Sequence, residues 1–258
     1  MEQWRKDAFD RLERSGYLPV MRSLAMGLCA PFWWHGQDGD GRYRILHNGT
    51  ICFVNTGEKL IGVTADHVYR EYLADKACYT VFECQFGGST VDPERYLIDR
   101  NERLDLATFD VPSVLVSAAG SSGHHPPQWP TESVREREVV LFGGFPGILR
   151  EAKDVKADFP FQTFVTAVMS VSPDNITLHV DLPDLHWPLH HGEKINPELG
   201  GQSGGPVFRV VEGAPINRLE LVGFIYEYSS SLDVMFARHA SKITPGGRIG
   251  PIPVSSEL

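Results

Sequence analysis

The spacing of apolar and polar positions divides the chain into one short amphipathic segment and a long series of β-type runs. Over residues 3–14, Trp4, Ala8 and Leu12 recur every four positions among Arg5, Lys6, Asp7 and Glu13, which predicts a helix, and Gly16 is the expected stop. From Arg42 the period becomes two. Tyr43, Ile45 and His47 alternate, Asn48-Gly49 predicts a tight hairpin turn, and residues 51–54 predict the return strand. Further short runs cover 59–64, 79–86, 96–99 and 105–111. Residues 117–130 are rich in Ser, Gly and Pro and predict a connection. Beyond it, 138–142 ends at Gly143-Gly144, and 161–171 with 175–180 predicts a hairpin about Pro173-Asp174-Asn175. Residues 207–211, 219–228 and 234–237 follow as strands, 238–243 as a short terminal helix, and the tail from Pro245 as irregular chain. Many short strands between turn signals favour an all-β barrel or sandwich over a βαβ fold.

Charge and composition narrow the function. A chain of 258 residues with net charge −9 fits one β-rich domain and argues against a nucleic-acid partner. No long basic run suits an anionic membrane, and no apolar stretch approaches the 18 or so residues of a spanning helix. The first 14 residues are charged throughout, which is unlike a secretory signal. The four cysteines, Cys29, Cys52, Cys78 and Cys84, have no metal-type spacing. A cytoplasmic protein with reduced thiols is the expectation.

The candidate chemistry centres on Gly200-Gly201-Gln202-Ser203-Gly204-Gly205-Pro206-Val207. Glycines beside a serine permit turns and close approaches that a Cβ forbids, and backbone N–H groups in such a turn can converge on one oxygen. A serine hydroxyl is a weak nucleophile, so a base and an orienting group are needed. Candidates are His67 in Thr64-Ala65-Asp66-His67 and Asp105 in Asp105-Leu106-Ala107. His186, His190 and His191 cluster around Pro188, which spoils a helical metal site, so no metal is expected there, and a serine-based chemistry implies no cofactor.

These three blocks, in the order His, Asp, Ser and separated by 38 and 98 positions, resemble the trypsin- and chymotrypsin-like serine peptidases. The resemblance implies two six-stranded antiparallel β-barrels with the cleft between them. It places a helical extension over 1–30, a first barrel over about 31–116, a linker over 117–134, a second barrel and terminal helix over 135–244, and a tail over 245–258. It implies Ser203 as nucleophile, His67 as general base and Asp105 as the group that orients His67. The backbone N–H groups of Gly201 and Ser203 would form the oxyanion hole, and Pro197, Tyr226, Glu227 and Tyr228 would meet the substrate, an extended protein or peptide.

Departures from the family pattern carry their own expectations. Val68 stands where secreted members have a cysteine, so the bridge around the histidine cannot form. Gln202 replaces an aspartate that pairs with a newly cut N-terminus, so activation by that route is not expected. Pro197 falls where trypsin carries its specificity aspartate, leaving a basic side chain before the cut unsupported. Asp66 reads as a cap on the turn 68–72, or as a group that tunes His67. A regulatory protein partner that selects the substrate fits the missing signal and bridge. Two other readings stand beside the peptidase. One is an α/β-hydrolase-type esterase, in which Asp233 and His239 would follow Ser203 in order. The other is a non-catalytic binding module on the same barrels.

Overall fold

The structure, a computed structural model, describes residues 16–123, 126, 128–153, 156–180, 199–211 and 218–250. The expected helix over 3–14, Pro197, the three clustered histidines and the chain beyond residue 250 lie outside these. The described chain is all-β, with a curled seven-stranded sheet, a closed six-stranded barrel and few helices.

The first sheet has the order β5 (Ser89–Val91), β4 (Phe82–Phe86), β1 (Cys29–Gln37), β2 (Tyr43–Asn55), β3 (Leu60–Thr64), β7 (Leu106–Asp110), β6 (Leu97–Asn101), with every pairing antiparallel. It differs from the expected closed six-stranded barrel in having a seventh strand and in staying open, with no strand paired outside β5 or β6 among the described residues. The three-residue β5 runs into Asp92-Pro93, and a proline nitrogen has no hydrogen with which to continue a ladder. The barrel closes in the order β11 (Gln162–Val171), β12 (Asn175–His179), β15 (Val234–His239), β14 (Arg218–Ser229), β13 (Pro206–Val211), β8 (Val139–Gly144). A small separate hairpin joins β9 (Glu151–Lys153) to β10 (Lys156–Asp158).

The expected hairpin at Asn48-Gly49 is not formed. Strand β2 runs straight through both residues, which pair with Trp33 and Phe32 of β1. The glycine serves a close approach instead: a Cβ at Gly49 would lie 2.6 Å from a Val68 methyl. The terminal helix expected over 238–243 reduces to one 3₁₀ turn, Ala240–Lys242, because Arg238 and His239 still belong to β15. Among the described residues three α-helices flank the sheets: α1 (Tyr17–Met26), α2 (Asp66–Cys78) and α3 (Ser113–Ala118).

Period-two alternation sorts the side chains into three cores. In β2, Ile51 and Phe53 face Phe32, Trp34, Tyr72, Phe86 and Phe109 inside the first sheet. Their neighbours Cys52 and Val54 face the other way, into a seam shared with Leu141, Phe145, Phe208, Leu221 and Phe224 of the barrel half. In β8, Val140 and Phe142 point into the barrel with Phe164, Ile176, Leu178 and Val207, while Leu141 enters the seam. Strands buried on both faces read as continuous apolar runs, as residues 51–54 and 139–142 do. Each fully buried side chain of this size contributes about 1.5–3 kcal/mol. The seam therefore fixes the two halves against each other, and the candidate residues lie along it.

Candidate active site

His67 stands in the first turn of α2, which begins directly after β3. The helix has Ala65 at its N-cap position, and no side chain of its own caps it. Asp105 does so from just before β7, the strand paired with β3: its Oδ1 accepts the His67 backbone N–H at 2.8 Å and its Oδ2 meets His67 Nδ1 at 2.7 Å. One carboxylate thus satisfies an open helix N–H, lies at the positive end of the helix dipole, and fixes the imidazole with Nδ1 protonated. Asp105 has φ +49°, a left-handed conformation that aspartate tolerates better than most residues.

Asp66 does not cap the helix. It is fully buried and pairs with Arg100, through Nε at 2.8 Å and Nη2 at 3.0 Å, and with Arg70 Nε at 3.2 Å. That fork ties the helix start to β6. Burial pulls the His67 pKa down, but the bond and charge of Asp105, with Glu71, more than offset it, and the pKa ends above its ordinary value despite Arg70.

Ser203 sits in a turn shaped by two left-handed glycines, Gly201 at φ +93° and Gly204 at φ +91°. A Cβ at Gly204 would lie 2.0 Å from the Thr50 carbonyl oxygen, and one at Gly201 would lie 2.5 Å from that of Phe145. Thr50 of β2 holds this turn. Its N–H donates to Ser203 O at 2.9 Å, and its hydroxyl donates to Gly201 O at 2.8 Å while accepting the Phe145 N–H at 3.0 Å. Among the described residues, neither the Gly201 nor the Ser203 N–H has an acceptor, which leaves both available to a ligand oxygen.

His67, Asp105 and Ser203 line one cleft of about 570 Å³, together with Leu199, Gly200, Ile225, Tyr226, Glu227, Tyr228, Ser230 and Met235. Among the described residues no hydrogen bond joins the Ser203 hydroxyl to His67. Tyr226, Glu227 and Tyr228 fall on β14 at a bulge between Ile225 and Glu227, which turns this stretch toward the cleft. Tyr226 is half-buried, its ring lies 3.9 Å from the Arg238 guanidinium, and its hydroxyl donates to Asn175 Oδ1 at 3.3 Å. Burial raises the pKa of both Tyr226 and Tyr228.

Leu199, Ile225, Ser230, Met235 and Thr50 were not foreseen. Met235 and Ile225 read only as strand residues in the sequence, and Thr50 sat inside a misassigned hairpin. The esterase arrangement lacks its setting, since a strand, β13, follows Ser203 where an elbow requires a helix. His239 is engaged elsewhere, its Nε2 donating to Ser172 O at 2.8 Å. No protein-family model matches the chain, and no curated protein matches it.

Proposed function

We propose that the chain is a serine endopeptidase of the trypsin-like type, with Ser203, His67 and Asp105 as its reacting and orienting groups. The observation that supports it best is the shared cleft, in which the His67–Asp105 pair at 2.7 Å faces a serine turn with two unengaged N–H groups. In this reading the Ser203 hydroxyl oxygen attacks the substrate carbonyl carbon as His67 Nε2 takes its proton. The N–H groups of Gly201 and Ser203 receive the oxyanion. Collapse of the tetrahedral species breaks the C–N bond, and His67 returns the proton to the departing amine. Water then attacks the acyl-enzyme with His67 again as base, releasing the acid and restoring Ser203. Asp105 keeps Nδ1 protonated and stabilises the imidazolium at each stage. The edge of β14 at Tyr226–Tyr228 offers backbone groups to an extended peptide.

Fluorophosphonate labelling of the intact chain tests this reading. Ser203 should be modified, and the label should vanish in Ser203→Ala and His67→Ala variants while Asp233→Ala labels normally. Cleavage of a mixed-peptide library should follow the same pattern. Undiminished labelling in His67→Ala would remove the base from the scheme, and a folded protein that labels but cleaves no peptide would point to an esterase.

A further inference from the structure

Arg238, on β15 of the barrel, is nearly buried at 9 % exposure and has no carboxylate partner among the described residues. Burying a cation without a counter-charge is costly, so its other contacts must be substantial. Its Nε donates to the Leu104 carbonyl at 2.7 Å and its Nη2 to the Arg103 carbonyl at 3.4 Å. Its Nη1 donates to Asn175 Oδ1, and its guanidinium stacks 3.9 Å from the Tyr226 ring centroid. Leu104 belongs to the opposite half of the molecule, 134 positions away in sequence, and its carbonyl is part of the peptide that leads into Asp105. The fork therefore grips the backbone one peptide before the left-handed residue that holds His67.

We propose that Arg238 is a positioning residue, a latch from the barrel that holds the 103–105 loop so that Asp105 stays engaged with His67. The proposal takes the importance of Asp105 from the peptidase reading, although the latch is defined by contacts alone. A second link supports the loop from the same side: Arg103 pairs with Asp174 at 3.3 Å, next to Asn175. The guanidinium shape matters, because a planar fork can address two carbonyls and lie flat on a ring, whereas an ammonium cannot. The latch also spans the seam, so a shift of the two halves would reach Asp105 directly. Tyr226, which lines the cleft, forms the other face of the same stack.

The test compares the full-length protein with Arg238→Met, Arg238→Lys and Asn175→Ala, following the His67 imidazole by NMR titration and Ser203 by its fluorophosphonate labelling rate. In Arg238→Met, His67 should titrate at lower pH than in the parent, because Asp105 no longer holds it. Loss of the positive charge alone would move His67 upward, so the sign separates the latch from simple electrostatics. The other charged groups around His67, namely Asp105, Glu71 and Arg70, are untouched by all three variants. Labelling should slow by roughly tenfold to a hundredfold, as misplacement of a catalytic group does. Arg238→Lys and Asn175→Ala should fall between, and Arg238→Met combined with Asp105→Asn should label no slower than Asp105→Asn alone. Unchanged or raised His67 titration in folded Arg238→Met overturns the proposal. If that variant does not fold, parental titration in both Arg238→Lys and Asn175→Ala does so instead. A parent whose Ser203 never labels defeats the peptidase reading, yet the titrations still decide the latch.

Discussion

A histidine that must accept a proton from a hydroxyl works only while neutral, so the direction of its pKa shift sets the working range. For His67, burial lowers the value, but the bond and charge of Asp105 with the charge of Glu71 raise it further, leaving it above the usual 6.5 or so. On the proposed peptidase reading, the acid limb of kcat/KM should therefore lie above about pH 6.5. Asp105→Asn should move that limb down and cut kcat by on the order of 10⁴. The same shift bears on stability. A folded pKa above the unfolded one stabilises fully below the unfolded value and is lost as pH rises through the folded value, a small effect for a side chain 30 % exposed. Gln202 raises a different residue-scale question. It is fully buried, and among the described residues neither of its amide atoms has a partner. Leaving buried polar atoms unbonded costs about 1–3 kcal/mol, so Gln202→Met should raise the urea midpoint by a corresponding part of that. A lower midpoint would mean that the amide is satisfied after all.

The start of α2 is where element-scale energetics and the candidate chemistry meet. Asp66 ties the first turn to Arg100 on β6 while the next residue, His67, receives Asp105. Asp66→Asn keeps the shape and removes the charge. Because Arg100 and Arg70 are 35 % and 46 % exposed and can turn to water, the loss should be about 1–3 kcal/mol, short of that for a fully buried pair. Denaturant melts would measure it, and an unchanged midpoint would show the fork to be dispensable. This helix also marks the limit of what the sequence could disclose. The barrel strands were legible because alternation and the Pro173-Asp174-Asn175 turn are local signals, and β11 and β12 lie close to their expected positions. The length of α2 was not legible, since its buried positions Asp66, Val68, Tyr69 and Tyr72 include a charge that looks solvated until Arg100 is beside it. Asn48-Gly49 carried a true turn signal whose glycine answers Val68, a neighbour only in space. His67, Asp105 and Ser203 were visible as motifs. Arg238 was not, because every contact that defines it is distant in sequence.

At the scale of the whole molecule, two halves bury a common apolar seam, and polar links through it determine how the candidate groups face one another. Thr50 is the central such link on the serine side. It is fully buried in β2, its hydroxyl bonds to Gly201 O and the Phe145 N–H, its N–H bonds to Ser203 O, and its carbonyl accepts the Thr64 hydroxyl at 2.7 Å. Thr50→Val preserves the volume and the backbone bonds but strands the buried Phe145 N–H and the half-buried Gly201 carbonyl. With the buried orphan costing about 1–3 kcal/mol and the half-buried one less, the variant should lose about 1–4 kcal/mol in total. The damage should be local, because the apolar seam and both inner cores are unaltered. Amide exchange at Gly204 and Gly205 should then quicken far more than at Leu178 in the barrel wall, and Ser203 labelling should slow with it. Uniform acceleration across the barrel would mean that Thr50 only supports the fold. Parental exchange at Gly204 and Gly205 would mean that the apolar seam alone orients the serine turn, and that the polar links across it are incidental to the cleft.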